Sequence, residues 1–130
     1  QLSWLEFREA FPDDLACKRY LVGLKWDAGF KCFKCGGDKY YKGNQKLSRK
    51  CSSCAYEESA TANTIFKGIK FDLNKAFYIV HCALKDTEST SKELTKLLDL
   101  KEETGRRFHK KVKEQLRTSS TNSERDFLLI

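Results

Sequence analysis

The chain has 130 residues, a 40% hydrophobic fraction and a charged fraction of 33%, with a formal net charge of +7. This length points to one compact domain or two very small ones, with a core small enough that a sub-region can depend on a bound metal. No apolar run approaches the roughly 18 residues of a membrane span, and the first residues lack the basic and apolar stretches of a secretory signal, so membrane and secreted classes are not expected.

Residues 1–26 read as helical. Phe11-Pro12-Asp13-Asp14 interrupts them, and Asp13 or Asp14 is suited to cap a helix that runs to about Leu24. Cys17, Tyr20, Leu21 and Leu24 then share one face at helical spacing.

Residues 27–66 change character. Glycines fall at 29, 36, 37 and 43, and no helical period is present. Lys39-Tyr40-Tyr41-Lys42 and Lys46-Leu47-Ser48-Arg49-Lys50 read as brief strands, and Tyr56 to Phe66 as one longer strand plus a turn. Within this segment Cys32 and Cys35, then fifteen residues, then Cys51 and Cys54 form two Cys-x2-Cys pairs. Two such knuckles brought together make a tetrahedral four-sulfur site for one zinc ion, with each Zn–S distance about 2.3 Å. The competing readings are two redox pairs or disulfides. Neither pair stands at a helix N-terminus, where redox pairs usually sit, and the absence of a secretory signal argues against disulfides. A closed four-cysteine site leaves no open coordination position, so this zinc is expected to be structural. Cys17 and Cys82 lie outside the pattern and read as small buried hydrophobes; His81 and His109 read as surface or core histidines.

Helix returns over residues 73–117. Leu73 to Leu84 carries Phe77, Val80, His81 and Leu84. Thr87-Glu88-Ser89-Thr90-Ser91 is a polar break, and Ser91 opens a short helix with Leu94, Leu97 and Leu98 facing inward. Asp99-Leu100-Lys101 is a tight connection to a third helix from about Glu102 to Arg117, with Phe108, Val112 and Leu116 at i, i+4 spacing. By spacing, Ser91 to Lys113 resembles a helix-turn-helix, with Asp99 where a glycine is common and Gly105 where many such helices place an apolar residue. The alternative is an ordinary helical hairpin with a basic solvent face. Residues 118–130 read as a linker.

Charge is not spread evenly. Residues 24–54 hold eight Lys/Arg against two Asp, and residues 67–117 hold thirteen Lys/Arg against eight Asp/Glu. Two basic blocks suit a polyanion, although a solvated basic surface without a partner has the same composition. Candidate DNA contacts are Lys101, Arg106, Arg107, Lys110, Lys111 and Lys113 on the last helix. Lys46, Arg49 and Lys50 in the cysteine-bearing segment, with Lys25, Lys31 and Lys34, would add phosphate contacts.

Several stretches together resemble the N-terminal region of insertion-sequence transposases related to the Merlin elements. They are Phe11-Pro12-Asp13-Asp14 with Ala16-Cys17 and Tyr20-Leu21; Leu24-Lys25-Trp26-Asp27-Ala28-Gly29-Phe30-Lys31-Cys32; Cys35-Gly36; Thr61-Ala62-Asn63-Thr64-Ile65-Phe66; and Lys70-Phe71-Asp72-Leu73-Asn74-Lys75-Ala76-Phe77. Ser91 to Val112 is similar to the helix-turn-helix of that family. Phe33 departs from its proline, Ala55 and Asn63 from its glycines, and Gly105 from its more apolar recognition helix.

The resemblance implies an α+β chain with four parts: an N-terminal helical segment (1–26), a zinc ribbon of short antiparallel strands (27–66), a three-helix DNA-binding region (67–117) and a linker (118–130). It implies binding to double-stranded DNA at transposon terminal inverted repeats, in a bacterial cytoplasm near the nucleoid, with homodimerisation in the full-length protein and no membrane. The parent would be a DDE transposase whose three acidic residues and two divalent ions belong to a catalytic domain expected beyond Ile130, so no residue of this chain is expected to be catalytic. A stand-alone regulator built from the same modules, or a zinc-stabilised module for transposase assembly, fits the same features.

Overall fold

The computed structural model describes residues 3–85 and 90–118. Helix α1 (Trp4–Ala10) starts at a capping box: Ser3 Oγ accepts from the Glu6 N–H and Glu6 Oε1 accepts from the Ser3 N–H. Helix α2 (Asp14–Lys25) is capped by Asp13, whose side chain accepts from the Ala16 N–H at 2.9 Å. Its neighbour Asp14 does a different job. Asp14 Oδ1 accepts from the Leu73 N–H at 2.9 Å, so it serves the first turn of helix α3 (Leu73–Lys85). Asn74 Nδ2 donates to the Phe11 carbonyl at 3.1 Å and locks the same junction from the other side.

Between α2 and α3 lies a small antiparallel sheet in the order β1-β2-β3, formed by β1 (Tyr40–Lys42), β2 (Arg49–Cys51) and β3 (Glu57–Glu58). Tyr40 pairs with Cys51, Tyr41 with Lys50, Lys42 with Arg49, and Arg49 with Glu58. The observed strands are shorter than the sequence suggests. Lys46 and Leu47 belong to the turn, where Leu47 has φ 63°, and β3 stops at Glu58. Turns and a single bridge at Thr64 replace the longer strand expected up to Phe66. The mixture of helices and one small antiparallel sheet is an α+β arrangement.

Helices α4 (Ser91–Leu97) and α5 (Glu102–Thr118) follow, with Thr90 as the N-cap of α4. They pack against each other and α5 packs on α3. Asp99 in their connection has φ 55°, a left-handed angle that Asp tolerates better than most residues, which explains the expectation of glycine there. Gly105 has a direct reason to be small: a Cβ there would collide with Thr95 Cγ2 of α4. The missing side chain lets the two helices cross closely, so Gly105 is a packing residue and not a gap in the apolar stripe.

Two cores result. The main one joins both ends of the described chain: Phe7 of α1, Cys17 and Leu21 of α2, Ile65 and Phe66 of the loop, most of α3, Leu94 and Leu98 of α4, and Phe108 and Val112 of α5. Aromatic rings run through it, with Phe66 stacked on Phe77 at 4.6 Å and on Phe108 at 6.0 Å. The second core belongs to the ribbon and consists of Trp26, Phe30, Cys32 and Cys51, flanked by Val22, Cys54 and Tyr56. One inward expectation is corrected. Leu97 is 52% exposed, because the short α4 turns Leu94 and Leu98 to the core and Leu97 away. The polar break at 87–89 and the linker at 119–130 lie outside the described residues. None of the helices among the described residues is long and apolar enough to cross a membrane.

Candidate metal centre

The two cysteine pairs adopt the same backbone turn. Gly36 N–H donates to the Cys32 carbonyl at 2.9 Å, and Ala55 N–H donates to the Cys51 carbonyl at 2.9 Å. Both closing residues are left-handed, Gly36 at φ 78° and Ala55 at φ 66°. Amides point at sulfur within the turns: Cys35 N–H toward Cys32 Sγ, Gly37 N–H toward Cys35 Sγ and Ser53 N–H toward Cys51 Sγ, each at 3.4 Å. The sheet then joins the knuckles, because Cys51 ends β2 and Ser52 N–H reaches back to the Lys39 carbonyl at 3.0 Å.

The four sulfurs lie within 4.8 Å of one another. Cys32 Sγ is 3.6 Å from Cys54 Sγ, and Cys35 Sγ is 3.6 Å from Cys51 Sγ. A tetrahedral zinc with Zn–S about 2.3 Å requires sulfurs about 3.8 Å apart, so the set fits one ion with small adjustments. All four thiols are free of disulfides. The Cys54 N–H, with help from that of Ser53, outweighs burial and holds the Cys51 thiol below the usual thiol range, which favours the thiolate that a metal needs. Cys35 goes the other way, to about 12: the Gly37 N–H opposes the shift, but the neighbouring Cys54 and Cys51 sulfurs and burial outweigh it. A metal entering the site displaces that proton. Cys32, Cys35, Cys51 and Cys54 thus form a site for one Zn2+, with four thiolates and no position left for water or substrate.

The cations singled out from sequence are placed as follows. Lys101, Arg106, Lys110 and Lys111 are exposed on or beside α5, and Lys113 is half-buried with a partner of its own. Arg107 is exposed but engaged, its Nη2 donating to Glu103 Oε1 at 2.7 Å one turn earlier. Lys46 is exposed in the 43–48 turn. Lys50 is half-buried, its Nζ 5.8 Å from the Tyr41 ring centroid. Arg49 is held between two rings, 4.6 Å from the centroid of Trp26 and 4.3 Å from that of Tyr40. Lys31 and Lys34 are exposed.

Lys25 is a correction. Its ammonium is buried against Glu58, and it donates to the Ser59 and Ala62 carbonyls at 2.8 Å each, so it is not available to a phosphate. Burial lowers its pKa against the pull of Glu58. Sequence reasoning missed Glu58, Trp26 and Tyr40 as a group, since their meeting depends on a sheet register that no local pattern encodes. Of the other cysteines, Cys17 is fully buried, its thiol pushed up to about 12 chiefly by burial, and Cys82 is buried in α3.

No curated protein and no solved structure matches the chain. Residues 12–57, from Pro12 before α2 through both knuckles to Glu57, match the family described as the transposase zinc-ribbon domain.

Proposed function

We propose that this chain is the DNA-binding N-terminal region of a transposase related to the Merlin group, recognising the terminal inverted repeats of its element in double-stranded DNA. In this reading α4, the connection at 98–101 and α5 act as a helix-turn-helix, and α5 enters the major groove. The observation that carries it is the close crossing at Gly105. The contact with Thr95 fixes α5 against α4, and Phe108 and Val112 are buried on the same helix, while Arg106, Lys110 and Lys111 stay exposed. An α-helix anchored by one face and basic on the other is the geometry of major-groove readers.

Lys101, Arg106 and Arg107 near the start of α5 are the candidate base contacts, with Lys110, Lys111 and Lys113 on phosphates. Arg107 is steadied by Glu103 in the free protein, and guanine or phosphate would replace that partner. Lys46, Arg49 and Lys50 of the ribbon extend the contact. Zinc supplies no bond-breaking chemistry in this role; it holds the ribbon in shape. The bond cutting and joining belong to an acidic two-metal domain of the parent protein, in which subunits would pair.

The test is selection of bound DNA from a random pool with zinc present, followed by gel shifts on the selected site. Binding should weaken steeply with salt, since each neutralised phosphate releases counterions. Arg106→Ala and Arg107→Ala should each cost about 1–3 kcal/mol on the selected site and less on random DNA. Equal binding of selected and random DNA by wild type and variants would remove α5 as the reader.

A further inference from the structure

The two faces of the ribbon sheet differ in charge. Strand alternation and the register place Tyr40, Lys42, Arg49, Glu58 and the metal ligand Cys51 on one face, and Tyr41, Lys50 and Glu57 on the other. On the first face Lys42 lies directly opposite Arg49, a cross-strand pair of like charges that opposes folding. The acid on that face, Glu58, is already neutralised by buried Lys25. Among the described residues neither Lys42 nor Arg49 has an ion-pair partner. The Arg49 guanidinium carbon lies 4.6 Å from the Trp26 ring centroid and 4.3 Å from that of Tyr40, so two rings restrain the group without neutralising its charge. Tyr40 itself is 45% exposed. The opposite face is less suited to an anion, because the Glu57 carboxylate stands beside Lys50.

We propose that Lys42, Arg49 and Tyr40 form a binding site for single-stranded DNA. The two cations hold a backbone phosphate, which relieves their mutual repulsion, and an unstacked base packs on the exposed part of the Tyr40 ring. Duplex DNA gives the same cations a phosphate but keeps its bases stacked on each other, so the ring gains nothing from it. The site rests on the ribbon half of the functional reading and is independent of α5.

The test uses the whole zinc-loaded chain and fluorescence anisotropy with a labelled deoxyoligonucleotide of about ten nucleotides, within the usual span of such sites. The same sequence as duplex and as RNA completes the set. Tyr40→Leu should lower affinity for the single strand about tenfold, the usual effect of losing one stacking ring, and lower duplex affinity less, through the loss of a ring beside Arg49 alone. Tyr40→Phe should bind like wild type. Should Tyr40→Leu lose zinc, Lys42→Gln decides instead. Lys42 is exposed, so its loss should leave zinc in place and reduce the slope of log affinity against log salt by about 0.7 for the single strand. Absence of single-strand binding by wild type, an equal loss on duplex, a preference for the RNA, or an unchanged salt slope in Lys42→Gln overturns the proposal. Failure of the α5 reading is separable, because it appears as duplex binding that ignores Arg106→Ala and Arg107→Ala.

Discussion

Lys25 Nζ at the end of α2 lies 2.6 Å from Glu58 Oε2 in β3, and each side chain is only 5% exposed. This pair ties the ribbon to the helical body. Its two halves are not equivalent, because Lys25 also donates to the Ser59 and Ala62 carbonyls while Glu58 has Lys25 as its charged partner. Lys25→Met should therefore destabilise the zinc-loaded protein by about 3–5 kcal/mol, the usual result of stranding a buried charge. Glu58→Gln, which leaves Lys25 its carbonyl acceptors, should cost less. Urea unfolding of the two variants measures the difference, and equal losses would contradict the asymmetry.

The equivalence of the two knuckles gives a stabilising change. Ala55 occupies the backbone position that Gly36 fills in the first knuckle, both with positive φ. A left-handed residue with a Cβ costs roughly 1–2 kcal/mol, and glycine gives back part of this in unfolded-chain entropy. Ala55→Gly should stabilise the protein by about 1 kcal/mol without changing zinc content. Thermal melts with zinc present check this.

How much of this was legible in the sequence follows the range of each interaction. The four zinc ligands were legible because each pair is a local turn and a four-sulfur site demands little else. The stripe of Phe108 and Val112 was legible because helical periodicity is local too. Leu97 misled because a helix of two turns has too few residues to fix its inward face from spacing. The strand ends misled because the turn takes up Lys46 and Leu47, with Leu47 left-handed at φ 63°, so β2 runs only from Arg49 to Cys51. Lys25 read as a surface cation because its partner lies in a strand of the ribbon, far along the chain. Gly105 read as a departure because its reason is Thr95, on another helix.

That contact can be tested directly. Gly105→Ala places a methyl group into Thr95 Cγ2, so it should destabilise by about 1–3 kcal/mol, as overpacking does. Thr95→Ser removes the colliding methyl and should restore most of the loss in the double variant. Because α5 would be displaced, Gly105→Ala should also weaken DNA binding although it touches no DNA. A double-mutant cycle in urea unfolding and a gel shift read the two effects.

His109 supplies a pH dependence. Its ring is buried in α5 with Nε2 unpartnered among the described residues, and burial, followed by Lys113, lowers its pKa from the usual 6.5. Between that value and the lower folded one, the unfolded chain binds a proton that the folded chain refuses. Stability is therefore retained above about pH 6.5 and lost as pH falls below it. His109→Gln should flatten this part of the profile relative to wild type. Acid also protonates the cysteines, so the difference between the two proteins is the quantity to follow in urea unfolding from pH 7.5 downward.

The most direct measurement is metal content against cysteine number. Purified chain, quantified for zinc and titrated with cobalt in place of zinc, should hold one ion and show the intense thiolate-to-cobalt absorption of a four-sulfur tetrahedral site. Cys51→Ser should lose that spectrum and unfold the ribbon at temperatures where wild type is folded, whereas Cys17→Ser should keep one ion. Full zinc occupancy in Cys51→Ser, or a wild-type chain that binds no metal and melts unchanged in chelator, would contradict a ribbon built around Cys32, Cys35, Cys51 and Cys54.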